Sequence, residues 1–215
     1  MTEMLLHGYF RSSAAWRVRI ALNLKGIAHL HAFRHLRRGE QSAPEFVALN
    51  PQGMVPALEV PGQGVLSQSL AILEWLDETQ PGLKLLPEDA WGRARVRALA
   101  QVVACDIHPI QNLRVLQYLK RELGQEQPAI DAWVRHWVEL GLFAFEARLG
   151  EPHTGRFCHG DTPGVSDICL LPQLGNARRF GADLRPNPRV LAAEAACLTL
   201  PAFADAVPDR QPDAE

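Results

Sequence analysis

Residues 4–22 read MLLHGYFRSSAAWRVRIAL, and this stretch decides the fold. Met4 to Phe10 is a short apolar-rich run that predicts a strand, and Arg11-Ser12-Ser13 places helix-capping chemistry directly after it. Ala14, Val18, Ala21 and Leu22 then recur at one-face helical spacing. Gly26 follows where a left-handed C-cap is favoured, so a strand feeds a helix.

Working outward, Leu30 to Phe33 predicts a second strand, and Pro44 to Leu49 a short helix ending at Asn50-Pro51. Val55-Pro56-Ala57-Leu58 and Glu59-Val60 lead through the turn-rich Pro61-Gly62-Gln63-Gly64 into Val65-Leu66, which reads as a hairpin. Gln68-Ser69 opens a further helix running to Thr79. Strand, helix, strand, helix, strand, strand, helix is the order of a small α/β domain of thioredoxin-like organisation over residues 1–82. Pro81-Gly82 to Pro87 reads as a linker. Beyond it, Trp91 to Glu122, Pro128 to Leu149 and Val165 to Phe180 show helical periodicity, and Pro188 to Val207 predicts shorter helices. Residues 88–215 therefore read as an all-helical second domain, with the polar Gln211 to Glu215 fraying.

Composition narrows the function classes. At 215 residues with 47% hydrophobic positions, the chain can bury a substantial core. A net charge of -2 gives no overall attraction for nucleic acid or anionic membrane, and the basic run Arg34, His35, Arg37, Arg38 reads as a solvated loop. No stretch approaches the roughly 20 apolar residues of a membrane helix, and no leader pattern opens the sequence, so a cytoplasmic location is expected. Cys105, Cys158, Cys169 and Cys197 all lie in the second half without zinc-type spacing and read as reduced, mostly structural thiols. His29, His31 and His35 lack a nearby carboxylate or cysteine, so surface histidines are preferred to a metal site and no metal is expected.

Two helix N-termini carry the chemistry. Ser12-Ser13 offers hydroxyls and unpaired backbone N-H groups beside Arg11 and Arg17, and Gln68-Ser69 offers the same donors with a side-chain amide. The positive end of a helix dipole favours an anion, and a thiolate over a thiol, so the pair suits an anionic thiol cofactor. The alternative is that both serines only cap their helices. Between them, a cis Val55-Pro56 bond would make this edge a docking strand for an extended peptide, an assignment that the sequence alone leaves open.

The segment Ser12-Ser13-Ala14-Ala15-Trp16-Arg17-Val18-Arg19-Ile20-Ala21-Leu22 resembles the S-S-C-x-W-R-V-R-I-A-L motif of zeta-class glutathione transferases, the maleylacetoacetate isomerases. The likeness continues through Leu49-Asn50-Pro51, Val55-Pro56, Gln68-Ser69, His108-Pro109-Ile110-Gln111-Asn112-Leu113 and Arg178-Arg179-Phe180-Gly181-Ala182-Asp183-Leu184. Cys105 to Pro109 and the C-terminal half also resemble bacterial maleylpyruvate isomerase, a glutathione-dependent relative. The resemblance implies a thioredoxin-like glutathione-binding domain followed by the all-helical domain of the glutathione transferases, a homodimer, and a small-molecule dicarboxylate substrate.

It also implies site residues. Val55, before a cis Pro56, pairs with the cysteinyl backbone of glutathione, Gln68 and Ser69 hold its γ-glutamyl carboxylate, and Gln41 lies near its glycyl end. Ser12, Ser13, Ala14 and Ala15 surround the sulfur, with Trp16 and Arg17 shaping the turn. His108, Asn112, Leu113 and Arg114 border the site from the helical domain, and Asp106 acts across a dimer interface. Thiolate addition to a conjugated cis double bond lets it rotate, and expulsion restores it as trans, so glutathione returns unconsumed. Arg11, Arg114 and Arg179 are the cations expected to meet the negative charge, since guanidinium forks suit carboxylates; surface or ion-pair roles are the alternative for each.

Two departures stand out. The family's cysteine is Ala14 here, which is tolerable because glutathione itself brings the thiolate and a serine hydroxyl can stabilise it. Gly164 replaces the usual Ser or Thr N-cap before Asp167, at an expected cost of a few tenths of a kcal/mol. A general detoxifying transferase and a non-enzymatic interaction module remain as competing readings. A glutaredoxin-like oxidoreductase is disfavoured because the first domain contains no cysteine.

Overall fold

The computed structural model describes residues 3–215, which form two compact units: residues up to Leu85 together with Thr199–Glu215, and Leu86–Leu198. In the first unit β1 (Met4–Gly8) leads to α1 (Ser13–Leu24), β2 (His29–Phe33), α2 (Pro44–Leu49), β3 (Ala57–Val60), β4 (Gly64–Ser67) and α3 (Ser69–Thr79). The sheet order is β2-β1-β3-β4, with β1 parallel to β2 and antiparallel to β3. Side chains alternate along a strand, and this sorts the helices. The His7 ring stands 5.4 Å from Phe46 of α2, whereas a Cβ added at Gly8 would stand 3.4 Å from that of Ala15 in α1. Hence α1 and α2 cover opposite faces, and α3 packs beside α1. Gly26 ends α1 with φ +64°, which lets the Ile27 N-H reach back to the Leu22 carbonyl at 2.9 Å.

The second unit contains α4 (Ala90–Gln101), α5 (Leu113–Arg121), α6 (Gln127–Arg148), α7 (Val165–Arg179) and α8 (Pro188–Leu198). The single helix expected from Trp91 to Glu122 is broken: a π-helical turn over Val102–Ile107 and a 3-10 turn over His108–Gln111 separate α4 from α5. Pro109 lacks an N-H for the ladder, and the Asn112 side chain restarts the helix by accepting the Arg114 N-H at 3.2 Å. The π turn brings Ile107 against α6 at Gly141, where any Cβ would collide with it. At the start of α7, Asp167 accepts the Gly164 N-H and the Cys158 N-H, each at 2.9 Å. Gly164 has no side chain to return the bond, so half of a capping box forms. Burial pushes the Asp167 carboxyl up, and these two N-H groups oppose that shift.

The chain's last segment corrects two expectations. A second domain over 88–215 was anticipated, yet α9 (Pro201–Ala204) and the residues after it belong to the first unit. The reason is Arg19. Its buried guanidinium needs acceptors, and it donates to the Phe10 carbonyl at 3.0 Å and the Ala206 carbonyl at 3.1 Å. Burial lowers its pKa to about 10, against the opposing pull of Asp213. Nor does Gln211 to Glu215 fray: Asp213 accepts the Phe10 N-H at 2.9 Å, and Glu215 accepts from Arg38 at 2.8 Å. The basic run is likewise more structured than a solvated loop, since His35 caps a 3-10 turn over Leu36–Arg38.

Candidate functional site

The turn between β1 and α1 is braced before any ligand is considered. Arg19 holds the Phe10 carbonyl from within, and Asp213 holds the Phe10 N-H. Arg11, half-buried, lies with its guanidinium 4.9 Å from the centre of the Phe10 ring. Ser12 is the N-cap of α1, and its Oγ accepts the Ala15 N-H at 3.2 Å. Capping therefore occupies a lone pair of Ser12 and leaves its hydroxyl hydrogen available as a donor. Ser13 and Ala14 form the buried first turn, and their backbone N-H groups precede the first intrahelical bond, which Trp16 makes to the Ser12 carbonyl at 2.8 Å. Nearby, burial raises the pKa of Tyr9, and the charges of Arg11 and Arg37 work against the rise.

The second N-terminus is built differently. Gln68 caps α3 with φ 69° and ψ 112°, without a side-chain hydrogen bond to the helix, and is the only non-glycine residue with positive φ among the described residues. Its amide instead donates to Gln52 Oε1 at 2.8 Å. Ser69, buried, accepts Arg17 Nη1 at 3.2 Å, so the guanidinium of α1 is anchored at the start of α3. That bond ties the two helix starts together through one buried cation.

Between them runs the loop before β3. Val55-Pro56 is cis, and Val55 packs with Tyr9, Phe10, Phe46 and Ala57. Asn50, buried, shapes this loop by donating to the Met54 carbonyl at 2.7 Å. The Gln41 carbonyl approaches Gly53, where an added Cβ would stand 3.2 Å from it. Buried Gln41 Oε1 and Trp16 Nε1 have no hydrogen-bond partner among the described residues. Such groups call for a ligand or water.

In the second unit, exposed Asp106 sits on the π turn, His108 opens the 3-10 turn, and Asn112, Leu113 and Arg114 begin α5. Arg179 ends α7. The two stretches are joined through residues that no sequence motif marked with a role: Asn176 Nδ2 donates to Gln111 Oε1, and Arg179 Nη2 donates to Asn176 Oδ1, both at 2.6 Å. Neighbouring Arg178 is spent on a bidentate pair with Glu194. Cys158 and Cys197 are buried, and burial together with the Asp167 charge pushes both thiols up, as suits structural cysteines. Sequence reasoning missed the Arg17 to Ser69 bond and the roles of Asn50, Gln52, Gln111 and Asn176. Only Asn50, in an Asn-Pro pair, carried a local turn signal.

A thioredoxin-like unit with two joined helix starts and a separate helical unit define the architecture of a glutathione transferase. The family model described as "Glutathione S-transferase, N-terminal domain" matches residues 11–79. A maleylpyruvate isomerase of a Ralstonia species is 50% identical over 98% of this chain and 99% of its own. Among solved structures, the holo form of a maleyl pyruvate isomerase, titled a bacterial zeta-class glutathione S-transferase, superposes with a TM-score of 0.95 at 49% identity, covering 98% of this chain and 100% of that one. A maleylacetoacetate isomerase from Methylobacterium extorquens AM1, solved with malonate and glutathione bound, gives 0.96 at 46% identity over 98% and 99%. The chain belongs to the zeta class of the glutathione transferases.

Proposed function

We propose that this chain is a glutathione-dependent cis-trans isomerase of a maleyl-type keto diacid, maleylacetoacetate or maleylpyruvate. The observation that carries the reading is the bond from Arg17 to Ser69, which gathers two helix starts and their dipoles into one anion-favouring region. The orphaned atoms Gln41 Oε1 and Trp16 Nε1 fit glutathione, a tripeptide rich in donors and acceptors. Ser69 and Gln68 hold its γ-glutamyl carboxylate, the Val55 backbone its cysteinyl portion, and Gln41 its glycyl end. When bound, glutathione supplies a thiolate whose reversible addition to the conjugated double bond permits rotation.

The chain's own task is to keep negative charge stable. Ser12 Oγ, held by the Ala15 N-H, would have its hydrogen to donate to the sulfur, and the Ser13 and Ala14 amides would add the dipole of α1. With Ala14 where relatives resembling this motif carry cysteine, no side chain of α1 competes as a thiol. In the first unit Arg11 would meet the charge of the thiolate; in the second, Arg114 and Arg179 would take substrate carboxylates beside His108, Asn112 and Leu113, with Asp106 acting across a homodimer. Light scattering checks the dimer. No helix among the described residues is long and apolar enough to cross a membrane.

The test is to mix enzyme and glutathione with each keto diacid, and separately with a chlorinated aromatic electrophile. Isomerisation with glutathione recovered intact is expected. Turnover of the aromatic compound alone would replace this reading with a conjugating transferase, and no calorimetric binding of glutathione would replace it with an interaction module.

A further inference from the structure

Arg178 and Arg179 are consecutive, yet the fold treats them oppositely. Arg178 forms two bonds of 2.5 Å with the carboxylate of Glu194 on α8, which is itself buried. Arg179 donates instead to a neutral amide, Asn176 Oδ1, three residues earlier on α7.

The orientation of that amide is also determined. Asn176 can face Arg179 with either its oxygen or its NH2, and the NH2 would set donor against donor. Arg179 can only donate, so it takes Asn176 Oδ1, and the Asn176 NH2 is left to donate to Gln111 Oε1 at 2.6 Å. Asn176 and Gln111 are both buried, 8% and 4% exposed, so water does not readily substitute for either. Gln111 Nε2 has no hydrogen-bond partner among the described residues. A buried glutamine that leaves a donor unmet is a poor packing choice, which points to its oxygen as the reason for its presence.

We propose that Gln111 and Asn176 are positioning residues for Arg179: the relay from Gln111 Oε1 through the Asn176 amide sets the plane of the guanidinium so that it meets a substrate carboxylate squarely. The Phe180 ring, 4.8 Å from the Arg179 guanidinium carbon, supports that plane from its face. Bidentate recognition depends on the angle of the fork, so a small rotation is enough to weaken it. The inference rests on Arg179 binding a dicarboxylate, as in the proposed function.

The experiment titrates glutathione-loaded protein with malonate by calorimetry and, in parallel, measures KM and kcat for the keto diacids. Asn176→Ala and Gln111→Leu are each expected to weaken malonate and raise KM about five- to tenfold, with a smaller change in kcat and an unaltered glutathione Kd. Gln111→Leu keeps the volume but exchanges one unmet donor, Gln111 Nε2, for another, Asn176 Nδ2, so its melting temperature should fall less than that of Asn176→Ala, which leaves a cavity. Combined with Arg179→Ala, neither variant should add a further loss. Unchanged malonate affinity and KM in both variants, additive losses on top of Arg179→Ala, or a wild type that does not bind malonate would overturn the inference. A wild type that binds malonate with the expected dependence on Gln111 and Asn176, yet isomerises neither keto diacid, would remove the isomerase reading alone.

Discussion

The starts of α1 and α3 lie in one unit, are joined by one hydrogen bond, and solve the same local problem in different ways. At α1, Ser12 adopts an extended backbone with φ -68° and satisfies the Ala15 N-H with its own hydroxyl. At α3, Gln68 is held at φ 69° and makes no side-chain hydrogen bond to the helix. Its side chain turns to Gln52, and the next residue accepts the Arg17 guanidinium. The first start is complete as a helix cap, with one hydrogen to spare. The second holds a strained backbone while its side chain serves a neighbouring loop and not the helix, a pattern that fits ligand sites better than simple caps.

The comparison is broken most severely at Ser69. Ser69→Ala removes the acceptor for Arg17 and, on the proposed reading, a donor to the γ-glutamyl carboxylate. Hydrogen bonds to charged groups are worth about 1.5–3 kcal/mol, so the glutathione Kd should rise roughly ten- to hundredfold by calorimetry. Ser12→Ala should cost about 1 kcal/mol of stability in urea unfolding through the lost cap. The same variant should return the thiol of bound glutathione toward its free value of about 8.5, seen as a shift in the pH profile of thiolate absorbance. An unshifted profile would reduce Ser12 to a cap. The smallest effect is expected from Gln68→Gly. Glycine relieves the positive φ but adds chain entropy, for a net stabilisation of up to about 1 kcal/mol, while glutathione binding weakens a few-fold. A stability gain accompanied by an affinity loss is the signature of strain kept for binding; losses in both would mark Gln68 as an ordinary structural residue.

Much of this was legible in the sequence because the controlling interactions are local. A strand, a capping serine, a one-face apolar pattern and a glycine stop lie within about two dozen residues, so β1 and α1 are written in neighbouring side chains. The helical periodicity of Val165 to Phe180 and Pro128 to Leu149 was readable for the same reason, and α7 and α6 lie within a residue or two of those bounds. The break within Trp91 to Glu122 was not. A π turn preserves helical composition and nearly the same periodicity, and what holds it is Ile107 seated on Gly141, 34 positions further along the chain. The site divides along the same line. Motif residues such as Ser12, Gln68 and Ser69 stand at element boundaries that sequence marks, whereas Gln111 and Asn176 belong to a pairing 65 residues apart.

By itself, the sequence determined the alternation of strands and helices, the two helix starts, and the family resemblance, since caps, turns and apolar spacing act over a few residues. Tertiary structure alone decided that the C-terminal segment returns to the first unit, because the buried Arg19 takes the Ala206 carbonyl 187 positions away. It alone decided that Arg17 finds Ser69, and that of two adjacent arginines one pairs with Glu194 while the other donates to Asn176. A buried cation must find acceptors wherever the fold supplies them, and neither composition nor periodicity records which distant oxygen arrives.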